Sequence, residues 1–559
     1  MPDTSSPYLR KIEVALAISL SAIAAFLCLI AARSAGGLWR DEANTVGLAT
    51  LPALSDVWSN LQYDSFPLLW VLVVRGLAAV FGEMNDPAFR LVGFIIGLLL
   101  ISALWASARA FGHRLPLAAL ALFAIAPSIS RWGTSFRGYG LGMVLGILAC
   151  VCIWRFADRG GPNRFAIASA VSVISVHLLF YNATVILAAC AGGIVVCAMA
   201  RQRMRALAVL GLGAVAAVSL VPYHVVIRSA SSWNSLVEIR DFSLIWFITK
   251  LGETLNPAGS WALPAWLGIF LLGGWAGVRE TAWGNRLGLS AAERRVAIFA
   301  TTALIVGAVT NFLFLRTLSY VTQPWYYLTL LAITAICIDA LSGALIRSNE
   351  ARIARIAVVT GIAVLTLAFG RSPGARMTNA DIIASQLADI AEPGDMIVVN
   401  PWYSAVSFSR YYQGASRWMT MPEITFHRFH RYDLLAHAMQ SSDQRKPAEP
   451  ILHEASRVLQ RGGAVFVVGR LPADGSRGEQ VLPPARIPQD GWQSPRYQDQ
   501  WGVMLGRFLR INAGSISEIT SRATGPISDY ENLSIVVARG WRNDNQRSET
   551  GGDNAAANE

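Results

Sequence analysis

Charge is what this chain has least of. Aspartate, glutamate, lysine and arginine together make up 15% of its 559 residues, against about 25% for an ordinary soluble domain. Lysine is nearly absent. Only Lys11, Lys250 and Lys446 occur among 47 basic residues, and arginine in its place points to a GC-rich, bacterial genome. Cysteine is missing from the polar part of the chain. All six (Cys28, Cys150, Cys152, Cys190, Cys197, Cys337) fall in apolar runs, which excludes a disulfide framework and a zinc site. The polar C-terminal part has no G-x-G-x-x-G opening, so no nucleotide site is read there. The first apolar run, Val14 to Ala32, is not followed by a small-residue cleavage site and a polar mature start. It is read as a retained span rather than a signal peptide.

What is present is apolar length. Hydrophobic residues make up 53% of the chain, and the mean hydropathy is +0.42. Runs near 20 residues recur and are continuous rather than alternating. The fold class expected is an α-helical polytopic membrane protein. Spans are read at about 13–32, 88–107, 115–131, 138–156, 165–180, 182–200, 206–222, 261–278, 296–315, 325–345 and 356–370, about eleven transmembrane helices. The net charge of +11 fits cytoplasmic loops against anionic membrane lipid, and no nucleic-acid partner is expected.

A twelfth run, "FPLLWVLVVRGLAAVF" (66–81), is short and carries Arg75. Charge decides its status. If it does not cross, the cytoplasmic segments hold Arg10, Lys11, Arg109, Arg114, Arg155, Arg159, Arg164, Arg201, Arg203, Arg205, Arg279, Arg286, Arg294, Arg295, Arg347, Arg352 and Arg355. A crossing at 66–81 would swap every later loop and invert the positive-inside bias. The run is therefore placed in the outer interface. The N-terminus is then inside and the C-terminus outside, in a bacterial inner membrane.

Composition changes near residue 371. "DIIASQLADIAEPGDMIVVN" reads as an amphipathic helix, a turn and a buried strand, and "EASRVLQRGGAVFVVGR" repeats that pattern. "NLSIVVARGW" reads as a further strand. The expected organisation is a transmembrane domain over 1–370, with an outer segment at 33–87. An extracytoplasmic α/β domain follows over 371–542, then a disordered tail over 543–559.

This topology gathers polar residues on the outer side. "GGLWRDEANTVGL" (36–48) carries Arg40, Asp41 and Glu42, and "YDSFP" adds Asp64. "RWGTSFR" brings Arg131 and Arg137, with Tyr139 just beyond. A loop at 223–260 holds His224, Arg228, Arg240 and Lys250, and "LRTLSYVTQPWYY" adds Arg316, Tyr320, Gln323, Trp325 and Tyr326. His177 lies near the outer end of a span. Arginine's planar fork pairs with phosphate, and a carboxylate beside it can take a proton from an attacking hydroxyl. Plainer readings stand beside this one. Asp41 and Glu42 suit the first turn of an interfacial helix. Asp64 suits a turn, and the aromatic residues suit an interfacial belt.

An Asp-Glu pair after the first span, then a D-x-x-P-L element, then R-G-Y-x-L opening a span, resembles the lipid-linked-sugar glycosyltransferases of the GT-C fold. The nearest group is the family-39-like set, which includes protein O-mannosyltransferases and lipid A aminoarabinose transferases. That family's H-P-P-L-Y-Y stands here as "SFPLLW" (65–70), and its E-A-R-P-Y-A-L as "SFRGYGL" (135–141), with Ser135 replacing the glutamate. "NDPAFRLVGFIIGLL" (85–99) resembles the segment that follows in the family. The likeness covers residues 10 to about 200 well and 310 to 335 weakly.

The resemblance implies a polyprenyl-phosphate sugar donor and an acceptor hydroxyl on a lipid, a glycan or a protein. Asp41 matches the family's catalytic aspartate and would be the general base. Glu42 would orient substrate or share that role, and Asp64 would be a second carboxylate. Arg137 matches the family's phosphate-holding arginine. Arg40, Arg131, Tyr139, His177, Arg316 and Tyr320 are further candidates for the lipid phosphate or the sugar. No cofactor is expected, although Asp41 with Asp64 has the chemistry for a divalent metal. A flippase for lipid-linked sugars, an oligosaccharide ligase and a non-catalytic assembly factor are the competing readings. No internal repeat of the kind expected for a transporter is seen.

Overall fold

The computed structural model describes residues 7–113, 115–234, 242–282, 288–318, 322–472, 482–485 and 493–542. Arg114, Arg240, Arg286, Tyr320 and the tail at 543–559 lie outside the described residues. The chain divides into two units. A helical unit takes 1–34, 65–227 and 240–374; a C-terminal unit takes 35–64, 228–239 and 375–559.

In the helical unit the long apolar runs become helices, because in hydrocarbon each backbone N–H and C=O must be satisfied within its own segment. Among the described residues, nine helices are long and apolar enough to cross a membrane. They are Pro7–Ser34, Asp86–Phe111, Tyr139–Arg159, Asn182–Met199, Arg203–Ala230, Ala262–Glu280, Ala291–Leu318, Pro324–Leu345 and Asn349–Phe369. The run expected at 115–131 is a bent pair, Leu117–Ala124 and Pro127–Thr134, turned by 76°. Pro127 supplies no N–H and opens the second piece, so the hydrogen-bond ladder breaks there. The run at 165–180 is the 17-residue helix Pro162–Leu178, about 26 Å long against a hydrocarbon core of about 30 Å. The eleven expected runs are thus nine full-length helices, one bent pair and one short helix. Leu68–Phe81, with 14 residues, spans about 21 Å and is too short to cross.

Burial sorts these helices. In Pro324–Leu345, 83% of the most apolar stretch is enclosed, whereas Arg203–Ala230 and Ala262–Glu280 enclose 17% each. The first is the centre of the bundle, and the other two present leucine and valine to lipid. Two buried charge clusters fasten the bundle. Glu13 accepts from Arg352 Nε at 3.2 Å, Arg352 Nη2 at 2.7 Å and Arg355 Nη2 at 2.5 Å. Asp339 pairs with His113 Nε2 at 2.8 Å and accepts the Ala118 amide at 2.8 Å.

The C-terminal unit is built on a five-stranded mixed sheet. Its strands are β1 (Met396–Asn400), β2 (Arg417–Thr420), β3 (Ala464–Gly469), β4 (Ala513–Ile519) and β5 (Ile535–Trp541), in the order β2-β1-β3-β5-β4. β1 is parallel to both β2 and β3; β5 is antiparallel to β3 and β4. β1 and β3 read as unbroken apolar runs because both faces of the sheet are covered. Met396, Val398, Val465 and Val467 join the helices Tyr432–Met439, Glu449–Gln460 and Ser494–Asn512 on one face. Ile397, Val399, Phe466 and Val468 join Ala380–Ile390 and Ala405–Tyr411 on the other.

The outer segment, expected at 33–87 inside the transmembrane domain, is divided. Residues 35–64 fold with the C-terminal unit and residues 65–87 with the helical unit. Hydrogen bonds over long sequence distances are the reason. Met377 N donates to Ala35 O at 2.9 Å, Leu38 N to the Tyr411 hydroxyl at 2.5 Å, and His430 N to Asn44 Oδ1 at 2.7 Å. Arg428 Nε donates to Gly47 O at 3.1 Å. Gly47 has to be glycine, since a Cβ there would lie 1.9 Å from the Arg428 carbonyl oxygen.

Candidate active site

Arg40 and Asp41 open the helix Arg40–Ala49, with Trp39 as its extended N-cap. The first amides of a helix have no intrahelical acceptor. Here carboxylates take them. Glu42 Oε2 reaches back to the Trp39 amide at 3.2 Å, as the acid does in a capping box. Glu531 Oε2 accepts the Arg40 amide at 3.0 Å. Glu42 is fully buried, whereas the Asp41 side chain keeps 27% of its exposure. Two adjacent acids therefore lie in different surroundings, one inside the fold and one partly open to solvent.

Thr45 stands four residues after Asp41 and so shares its helix face. Its hydroxyl lies 2.6 Å from Asp64 Oδ2 and 3.3 Å from the Asp41 carbonyl oxygen. This one side chain ties Asp64 to the turn that carries Asp41. Asn44, one residue earlier, donates to the Tyr63 carbonyl at 3.3 Å. The short segment ending at Asp64 is thus fixed against the helix by two consecutive polar residues.

Arg40 is held from several sides. Its Nε is 3.6 Å from Asp41 Oδ1, and Nη1 donates to the Tyr530 carbonyl at 2.8 Å. The guanidinium lies 4.6 Å from the centre of the Tyr403 ring. Burial opposes its charge, but the carboxylates of Asp41 and Glu531 outweigh that and hold it above its ordinary value. Glu531 is raised as well, but there the shift favours the neutral form. Burial pushes its carboxyl up to about 7, despite Arg40 and the hydroxyls of Ser407 and Thr378. Nearby, Tyr63 stacks on Phe429 at 5.8 Å. Its phenol is pushed up to about 12 by burial and by Asp433, and Asp433 is itself paired with Arg431 at 2.5 Å.

The remaining candidates belong to the helical unit. Arg137 is buried and its guanidinium lies 4.5 Å from the centre of Phe66. Tyr139 packs edge-on against Phe66 at 4.9 Å and lies 6.3 Å from Trp325, which meets Trp132 at 4.5 Å. The segments "SFPLLW", "SFRGYGL" and "QPWYY" therefore converge on one aromatic cluster. Gly138 permits this, since a Cβ there would stand 2.6 Å from the Phe66 ring. Ser135 donates to the Trp132 carbonyl at 2.8 Å. His177 Nδ1 meets the Tyr223 hydroxyl at 3.3 Å. Arg131 is half-buried, Arg316 is exposed, and Tyr320 lies outside the described residues.

No family model matches the chain, and none of the curated proteins does. Solved structures do. The chain is similar to ArnT from Cupriavidus metallidurans bound to undecaprenyl phosphate, with 15% identity over 81% of this chain and 92% of that one, at a TM-score of 0.45. It is also similar to the Archaeoglobus fulgidus oligosaccharyltransferase AglB in complex with an inhibitory peptide and a dolichol-phosphate. There the identity is 11%, over 83% of this chain and 70% of that one, at a TM-score of 0.44.

Thr45, Glu531 and Tyr403 were not among the residues singled out from sequence. For Thr45 a signal existed, its i+4 spacing from Asp41. For Glu531, 491 residues from Arg40, no local pattern announces the partner.

Proposed function

We propose that the chain is a membrane glycosyltransferase that moves a sugar from a polyprenyl-phosphate donor to an acceptor hydroxyl on the outer face of a bacterial inner membrane. The acceptor oxygen bonds to the anomeric carbon as the bond from that carbon to the phosphate oxygen breaks, with inversion. Polyprenyl phosphate departs, and the hydroxyl proton passes to Asp41, the general base. Asp64 is the second carboxylate. Glu42, buried with Oε2 on the Trp39 amide, holds the helix start beside Asp41. Arg137, buried in the helical unit, is the candidate for the leaving phosphate because arginine's planar fork pairs with phosphate. The C-terminal unit lies on the extracytoplasmic side and the N-terminus in the cytoplasm, as the charge count favours.

The observation that carries this reading is the carboxylate pair itself: Asp41, partly exposed on a capped first turn, with Asp64 tied to that turn through the Thr45 hydroxyl at 2.6 Å. The motif order read from the sequence supports it further. The test is Asp41→Asn in a strain lacking its own copy, read by mass spectrometry of lipids, polysaccharide and secreted proteins. A general base contributes about 10²- to 10⁴-fold. A sugar modification that vanishes in the deletion strain should stay at least about 100-fold down with the variant, at normal expression. Full restoration by Asp41→Asn would sink the assignment.

A further inference from the structure

Glu531 is 2% exposed and lies in "SDYENL", a stretch without a recognisable motif. Its two oxygens are divided between two elements. Oε2 accepts the Arg40 amide at 3.0 Å, and Oε1 lies 2.8 Å from the Ser407 hydroxyl on the helix Ala405–Tyr411. The same helix ends at Tyr411, whose hydroxyl accepts the Leu38 amide at 2.5 Å. The neighbouring carbonyl, that of Tyr530, accepts from Arg40 Nη1 at 2.8 Å. The first residue of the Asp41 helix is therefore gripped by its backbone and by its side chain, both from residues 530–531. A buried amide without an acceptor is costly, so the acceptor decides where this helix starts.

We infer that Glu531 is a positioning residue for Asp41: its carboxylate fixes the start of the Arg40–Ala49 helix, so that Asp41 and the Thr45-linked Asp64 keep the geometry that transfer needs. The inference rests on the glycosyltransferase reading for its functional half. Its structural half stands alone. Glu531 touches no substrate in this scheme and acts through the Arg40 amide. Displacing a catalytic group by about 1 Å costs about 100-fold in rate, which sets the size of the effect expected on losing the grip.

Full-length protein in nanodiscs would be compared as wild type, Glu531→Ala, Glu531→Gln and Asp41→Asn. Three quantities would be read: amide exchange over residues 40–49, retention of added undecaprenyl phosphate by native mass spectrometry, and sugar transfer in the complemented deletion strain. Glu531→Ala should speed exchange of the 40–49 amides by about tenfold or more while β1 and β3 stay protected. Transfer should fall about 10- to 100-fold, with retention of undecaprenyl phosphate unchanged. Glu531→Gln keeps an acceptor for the Arg40 amide. The Ser407 hydroxyl, which also lies 3.0 Å from the Ser404 carbonyl, can turn to receive the new amide. This variant should restore protection and transfer to near wild type. Unchanged exchange at 40–49 in Glu531→Ala would overturn the inference. So would equal loss of protection in β1 and β3, or a Gln variant as defective as Ala. Normal transfer by Asp41→Asn, with fast exchange in Glu531→Ala, would remove the general-base reading and leave the grip intact.

Discussion

Each unit buries a glutamate beside arginine, and the two are held in opposite ways. Glu13 in the helical unit is 3% exposed and meets two guanidinium groups, Arg352 in a two-pronged contact and Arg355 on one side. Glu531 in the C-terminal unit is 2% exposed, but its hydrogen bonds come from a backbone amide and hydroxyls. The Arg40 guanidinium near it is turned to the Tyr530 carbonyl and the Tyr403 ring. Ion pairing fastens Glu13 between two helices and needs its charge. Neutral donors accept Glu531 in either protonation state, so it can hold a position without being locked as an ion. The difference separates a charge that ties a bundle together from one that sets a site.

Removing one member of the charged cluster should give the largest effect. Glu13→Ala leaves two guanidinium groups buried without their carboxylate, and breaking a buried pair costs about 3–5 kcal/mol. Thermal unfolding of the purified chain in detergent should report a matching fall, with amide exchange in Asn349–Phe369 rising first. A triple change to apolar residues of similar volume (Glu13→Leu, Arg352→Met, Arg355→Met) should recover most of the loss. If Glu13→Ala unfolds like wild type, the cluster is not what ties Pro7–Ser34 to Asn349–Phe369.

Glu531 should show itself through pH. Its folded carboxyl titrates at about 7, above the ordinary value of 4.5. Between those two values the folded chain binds more protons than the unfolded chain, so stability falls as pH rises through that window. The span corresponds to about 3 kcal/mol, lost between about pH 4.5 and 7. His427, lowered to about 4 by burial, acts in the other direction: it costs stability as pH falls from about 6.5 to 4. The difference between wild type and Glu531→Gln removes that background. Gln cannot ionise, so at pH 8 it should be the more stable chain, and the gap should narrow as pH falls and close by about pH 4. A gap independent of pH would mean that Glu531 does not titrate in that window. It would then be held as an ion, as Glu13 is, and the comparison would collapse.

Much of the architecture was legible because it is written locally. Continuous apolar runs specify spans, and "ADIIASQLADI" with "MIVVN" specifies a helix and β1 through the switch from a 3.6-residue to an unbroken apolar pattern. β3 and β5 were legible in the same way. β2 ("RWMT") and β4 ("AGSISEI") were not, since edge strands carry little apolar signal. The assignment of residues 35–64 to the C-terminal unit was out of reach for another reason. It depends on Arg40 meeting Glu531, Leu38 meeting Tyr411 and Asn44 meeting His430, pairings across 373 to 491 residues that leave no periodic trace. The carboxylates of the candidate site could be picked out from sequence, but the groups that hold them could not.

The smallest expected effect lies at the most modest of the neutral holders, Thr45. Its hydroxyl is 2.6 Å from Asp64 Oδ2, and Asp64 is half-buried, so water can replace part of the lost bond. Thr45→Val keeps the volume and removes the donor. It should cost about 1 kcal/mol of stability in the C-terminal unit, a shift that unfolding measured alongside Glu13→Ala would resolve. Its effect on transfer should be larger than that stability change suggests, about tenfold, because Asp64 is freed from the turn that carries Asp41. Thr45→Ser, which restores the hydroxyl without the methyl group, should recover transfer more fully than stability. The reverse pattern, with Ser recovering stability but not transfer, would make the methyl group's packing decisive. A neutral hydrogen bond would then not be what sets the spacing of the two acids.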